Sequence, residues 1–282
     1  MAIAIRRLDP VGAEIRGVDL ARLDDADFAV IRRAFADHGV VFFRDQEIDE
    51  AQHIAFARRI GPITINRFFA AHPRYPEIAL VVKEPHQRDN IGGGWHTDHS
   101  YDAEPALGSV LVARDLPPAG GATAFASMTA AHDALPAALR ARIDGLQAVH
   151  SARHVFGSRA DAYEATRETR RDGRIGNAAA ADVLDDVVHP VVITHRLSGQ
   201  RAIYVNPGFT TRIVGLDEAE SRALLQELYD HCAQPRFHTV FEWRPGSVAL
   251  WDNRSTWHYA HNDYHGHRRE MHRITIAGCA LQ

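Results

Sequence analysis

Apolar positions recur at helical spacing at Phe28, Ile31 and Phe35. Asp24 or Asp25 can cap this helix, and Gly39 can stop it. Val40-Val41-Phe42-Phe43 follows as a short apolar run and reads as a buried strand. Asp49 can cap a second helix, with Gln52 three residues on and Gly61 at the far end. Residues 108–114 read as another strand, and Leu116-Pro117-Pro118-Ala119-Gly120-Gly121 as a turn-rich break. Residues 129–145 are helical in pattern but interrupted at Pro136, which suits the first turn of a new helix. Strand signals return at 187–188, 191–194 and 202–205. Asp217 and Glu220 can open a further helix whose core face carries Leu224, Leu225 and Leu228. The final third is strand-rich, at 238–243, 247–251 and 272–277.

Residues 157–186 break this pattern. They are polar, alanine-rich and poor in large apolar side chains, with dense charge at 167–174. Such a stretch is either a solvated excursion or a lid over a site. There is no internal repeat and no low-complexity linker. A length of 282 residues, 45% hydrophobic and 24% charged, suits one domain spanning 1–282. The formal charge of −4 gives no general attraction to nucleic acid. No apolar run has membrane-spanning length, and the start lacks the apolar core of a signal peptide. Cys232 and Cys279 make no disulfide framework, so a cytoplasmic protein is expected. A small-molecule substrate is the expected partner, with neither nucleic acid nor membrane; self-association stays open.

Two short segments carry candidate chemistry. Trp95-His96-Thr97-Asp98 and Trp257-His258-Tyr259 together supply two imidazoles and one carboxylate, the donor set of a facial-triad iron(II) site. On an extended strand, His96 and Asp98 would point the same way, and His99 would point to the opposite face. His258 lies 160 residues beyond Asp98, a separation that a jelly-roll barrel tolerates because distant strands become neighbours. Eighteen histidines weaken any argument from a lone one. Gly92-Gly93-Gly94 before Trp95 lets backbone approach a ligand closely. Arg268-Arg269 and Arg273 read either as solvated charge or, for Arg273 ahead of Ile274-Thr275-Ile276, as an inward guanidinium needing an anion.

In order and spacing these residues resemble the taurine dioxygenase family of iron(II)/2-oxoglutarate-dependent oxygenases. The resemblance runs from Gly17-Val18-Asp19-Leu20 through Trp95–Asp98, Gly120-Gly121-Ala122-Thr123 and 208–214 to Trp251-Asp252-Asn253-Arg254 and 268–273. It implies a double-stranded β-helix, or jelly roll, with helices outside: an α+β, β-rich fold. It implies that His96, Asp98 and His258 are the catalytic metal ligands. Thr123 and Arg269 then hold the distal carboxylate of 2-oxoglutarate, with Arg273 near its other end and the primary substrate. The implied cofactors are Fe(II), 2-oxoglutarate as co-substrate and dioxygen. The implied reaction is hydroxylation, with succinate and carbon dioxide as co-products. A product hydroxylated beside a heteroatom could fragment, giving net desulfonation or ether cleavage. A divalent-metal hydrolase or isomerase of cupin type, or a non-catalytic binding protein, is the alternative.

The chain departs from taurine-specific members in four places. Asn66 and Phe69 stand where those show a His and a Tyr, Gly92 replaces an Asn, and Val155 replaces a serine. Unpaired polar groups on a buried ligand cost roughly 1–3 kcal/mol each, which argues against taurine itself. Asn66, Phe69, Val155, Phe156, Phe209 and Arg273 are the expected substrate contacts, giving an apolar, aromatic pocket for an anionic molecule.

Overall fold

The computed structural model describes residues 3–158, 174–175 and 178–281. It is a mixed α/β, β-rich structure built around one large and one small antiparallel-rich sheet. The large sheet has nine strands. Along it run Ala4–Arg7, Ala13–Arg16, Val40–Phe43, Val248–Asp252, Gly108–Asp115, Arg269–Ile276, Tyr75–Lys83 and Ala71–His72, with Ile63–Thr64 also paired to Arg269–Ile276. The small sheet places Thr123–Ser127 between His238–Phe241 and Thr256–Ala260. Two further small sheets join Gln147–His150 to Val187–Pro190 and Thr210–Ile213, and Val192–Thr194 to Arg201–Ile203.

The helices follow their expected caps. Asp24 accepts from the Asp27 amide ahead of Asp25–His38, which ends at Gly39 in the left-handed region. Asp49 and Gln52 form a reciprocal capping box at Glu50–Ile60. Asp217 caps Glu218–Cys232, which buries Leu224, Leu225 and Leu228. Pro136 is the N-cap of Ala137–Ile143, one position earlier than its expected first-turn place.

Strand periodicity sorts the core into layers. Val41, Phe43, Val110, Val112, Val248, Leu250, Ile274 and Ile276 face the first two helices, meeting Ile31, Phe35, Ile54 and Phe56. Their sequence neighbours Val40, Phe42, Leu111, Ala249, Trp251 and Met271 face the small sheet, meeting Phe125 and Phe241. Successive side chains point to opposite faces, so one strand feeds both layers. Phe42 of the large sheet stacks on Phe241 of the small one at 4.1 Å between ring centroids. Arg269 and Arg273 share the parity of Met271 and therefore lie on the face toward the small sheet.

The chain crosses between the sheets at residues 252–256. Asp252 ends a large-sheet strand and Thr256 begins a small-sheet strand. Asp252 is fully buried, accepts from the Arg254 amide and pairs with the Arg254 guanidinium through both carboxylate oxygens. His195 Nε2 donates to Asp252 Oδ2 at 3.0 Å, and Thr256 Oγ1 donates to the Asp252 carbonyl. Burial alone would raise the Asp252 pKa, but the Arg254 charge and the hydrogen bonds of His195 and Arg254 hold it down at about 2.

Removing the charge of Asp252 leaves Arg254 buried without its partner. Asp252→Asn is expected to lower stability by about 3–5 kcal/mol, measured by urea unfolding. Because the carboxyl is held below its unfolded value, its contribution is complete above about pH 4 and fades as pH falls toward about 2. Across that interval the variant's stability should fall less steeply than the wild type's.

Candidate active site

His258 lies on the Thr256–Ala260 strand opposite Phe125, while Trp257 points the other way into a separate core. His96 is paired with His258 by an isolated bridge, through His96 N–H to the His258 carbonyl (3.1 Å) and His258 N–H to the His96 carbonyl (2.8 Å). The His96–Asp98 segment is therefore not the extended strand that its spacing suggests. One bridge positions His96, and a turn beginning at Asp98 swings the carboxylate back toward it. His99 follows at a φ of +59° and turns its ring toward Asp102 and Asn66.

The result brings the three candidate ligands together. His96 Nε2 and His258 Nε2 each lie 3.7 Å from a carboxylate oxygen of Asp98, and the donor atoms all fall within 4.8 Å of one another. His96 Nδ1 donates to the Gly94 carbonyl at 2.7 Å, so in the neutral ring the Nε2 lone pair faces the cluster. His258 Nδ1 has no partner among the described residues; Trp251 and Phe125 hold its ring by packing. Burial, then His96, holds the His258 pKa well below the ordinary value, which keeps it neutral. Burial would raise Asp98, but the charge of Arg273 above all holds it below the usual carboxylate range. Arg273 Nη1 donates to Asp98 Oδ2 at 3.1 Å. Two imidazoles and one carboxylate converging within 4.8 Å of one another can hold a divalent metal.

A cavity of about 140 Å³ opens beside this cluster. Arg269 and Arg273 reach it from the large sheet and Thr123 from the small one. Arg269 is buried, and its Nε and Nη2 donors have no partner among the described residues. Thr123 Oγ1 accepts from Trp243 Nε1 at 2.9 Å, which leaves its hydroxyl proton free to donate into the cavity. Gly121 has a φ of +70°, and a Cβ there would press on Arg269 Cδ and Nε at 3.1 Å. The glycine pair thus lets the loop close over Arg269.

Phe69, Val155, Phe156 and Phe209 line the cavity, and Gly92 does too. Asn66 does not. Its Oδ1 accepts from the amides of Phe68 and Phe69, a local turn that aims Phe69 at the cavity. Arg273 stacks over the Phe69 ring at 4.5 Å. Tyr101 and Ile175 also line the space, and neither was singled out in the sequence. Ile175 forms an isolated bridge with Phe69. The remainder of the expected lid largely lies outside the described residues, at 159–173 and 176–177. Among the described residues, no helix is long and apolar enough to cross a membrane.

Comparison with known proteins agrees with this geometry. The model of the family described as taurine catabolism dioxygenase TauD, TfdA family matches residues 4–275. The chain is 34% identical over 273 residues to the (S)-phenoxypropionate/alpha-ketoglutarate-dioxygenase of Sphingobium herbicidovorans, covering 95% of this chain and 92% of that protein. It is also 34% identical over 275 residues to the alpha-ketoglutarate-dependent sulfate ester dioxygenase of Pseudomonas putida, covering 95% and 87%. The structure of AAD-2 in complex with Mn(II) and N-oxalylglycine superposes with a TM-score of 0.80 at 29% identity, covering 100% of this chain and 99% of that one.

Asn66→Ala would strip two backbone amides of their acceptor. The expected loss is about 1–3 kcal/mol of stability, read by equilibrium unfolding.

Proposed function

The chain belongs to the taurine catabolism dioxygenase TauD, TfdA family, and from that premise we propose that it hydroxylates a small anionic organic molecule with an apolar body, using iron(II) and 2-oxoglutarate. The observation that carries this reading is the pairing of a His96–Asp98–His258 donor cluster with Arg269, a buried guanidinium that lines the same cavity and has two donors without a partner among the described residues. A buried charge without a partner is costly, so the fold holds Arg269 ready for an anion from outside. We read the two facing sheets as a double-stranded β-helix and the chain as one dioxygenase domain.

His96, Asp98 and His258 would hold the metal. When bound, iron(II) with 2-oxoglutarate and dioxygen supplies the oxidising power for C–H hydroxylation, with succinate and carbon dioxide as co-products. Arg269 and Thr123 would donate to the distal carboxylate of 2-oxoglutarate; the planar fork of Arg269 suits a carboxylate. N-oxalylglycine, the ligand named for AAD-2, is a dicarboxylate of the same chain length. Arg273 orients Asp98 through its Nη1, and its Nε has no partner among the described residues. It can therefore steady the ligand carboxylate and receive the anionic group of a substrate. Phe69, Val155, Phe156 and Phe209 exclude water and aim the apolar body.

The relatives named above act on a phenoxypropionate and on sulfate esters, each an anion with an organic body. That agrees with a cavity where Arg273 meets an aromatic wall. Hydroxylation beside an ether or ester oxygen would give a product that fragments. Family membership favours this reading over a metal hydrolase or a non-catalytic binder.

Asp98→Ala should lower anaerobic iron(II) affinity by at least about tenfold, since removing a ligand carboxylate sacrifices one of three donors. Arg269→Ala should keep iron binding but raise the 2-oxoglutarate Kd by about tenfold or more, the range for a charge-assisted pair. Iron and 2-oxoglutarate titrations monitored separately distinguish the two effects. Unchanged 2-oxoglutarate affinity in Arg269→Ala would remove the clamp.

A further inference from the structure

Resting on that reading, we propose that Tyr101 is a specificity-determining residue whose hydroxyl donates to an ether, ester or carbonyl oxygen in the body of the primary substrate. The cavity has two sides. Part of its lining carries the ionisable groups; the rest includes Val155, Phe156, Ile175 and Phe209 of an apolar cluster together with Tyr101. Of that cluster, Tyr101 alone bears a polar side-chain atom.

The hydroxyl is uncommitted. No described residue hydrogen-bonds it, and it is not sealed in protein as the unpartnered Tyr204 hydroxyl is. Tyr101 itself is buried and lines the cavity, away from bulk solvent. Its ring is fixed by edge contacts with Phe209 at 4.8 Å and with Phe68 and Phe156 at 5.8 Å. A donor held that rigidly loses little freedom on binding. Placed in an apolar wall, it rewards a ligand with an acceptor at that point and gives nothing to one without. Arg273 and Tyr101 together give two polar contacts that fix how the substrate lies, with the aromatic rings filling the space around it. The substrate class this selects is an anion whose body contains an oxygen acceptor, in preference to an all-carbon acid or sulfonate of the same shape.

The test compares wild type with Tyr101→Phe, which removes one oxygen and keeps the ring. Binding is measured anaerobically by calorimetry with iron(II) and 2-oxoglutarate present. The probes are matched pairs: 2-phenoxypropanoate against 2-methyl-3-phenylpropanoate, and hexyl sulfate against heptane-1-sulfonate. Wild type should favour the oxygen member of at least one pair by about five- to tenfold, the worth of one neutral hydrogen bond. In Tyr101→Phe that preference should collapse toward unity, with the carbon member's affinity changed less than about twofold. Equal weakening of both members would make Tyr101 a packing residue and overturn the proposal. So would a preference unchanged in the variant, or a wild type that binds no oxygen member more tightly than its carbon counterpart. The 2-oxoglutarate affinity, measured alongside, separates the two readings. If it is intact, only the role of Tyr101 falls; if wild type lacks it, the dioxygenase reading falls.

Discussion

The ion pair between Asp252 and Arg254 is the constraint on which the site's geometry depends. It sits where the chain leaves the large sheet for the small one, and both charges are buried. The pair contributes shape more than net stability, since desolvation offsets much of its attraction. The residue between them completes the corner. The Asn253 carbonyl accepts from Thr97 Oγ1, and Asn253 Oδ1 accepts from Trp251 Nε1. Thr97 stands between His96 and Asp98, and the strand leaving the corner carries His258. One turn therefore sets the positions of all three candidate ligands relative to one another, although 160 residues separate Asp98 from His258. The reciprocal bridge between His96 and His258 then closes the arrangement.

A second constraint is the parity of the Arg269–Ile276 strand. Its even positions Ile274 and Ile276 pack toward the helices, and its odd positions face the small sheet. An inserted residue within this strand would exchange the two sets. Among the described residues, the fold then carries Arg269 buried with two unpartnered donors, and Arg273 with one. Such groups are destabilising in the ligand-free protein. They persist because the sheets on both sides determine where the strand lies, and this is where local rules are broken for the sake of a site.

Much of the scaffold was legible in the sequence because its signals are local. Caps at Asp24, Asp49 and Asp217 act within four residues of themselves, and the apolar stripes of those helices need only a core to face. Val40–Phe43 was readable as a strand buried on both faces. The triad's residue types were readable as well, but the backbone that presents Asp98 was not. Period-two reasoning supposes a continuing strand, and here a single tertiary bridge gives way to a turn with His99 in the left-handed region. Asn66 was misplaced for a related reason. Asparagine satisfies nearby amides readily, and the Phe68 and Phe69 amides claim its oxygen before any ligand can. Tyr101 and Ile175 had no local signal, because what makes them cavity residues is contact with Phe68, Phe156 and Phe209 from distant segments.

The two sides of the cavity are mounted differently. His258, Thr123, Arg269 and Arg273 stand on sheet strands whose register is fixed by long ladders. The apolar wall comes from the loop at 66–69, the turn at 98–101, the short Arg153–Phe156 helix, Ile175 and the segment entering Thr210–Ile213. A change of one wall residue disturbs few backbone hydrogen bonds, whereas a change of strand register would displace several polar groups at once. Apart from His96 and Asp98, which a bridge and a turn present, the chemistry is thus tied to the sheets and the choice of substrate to the connections. On this division, relatives sharing the strand-borne groups can differ in the organic body they accept. The wall of this chain, apolar except at one fixed hydroxyl, is where its own preference must be set.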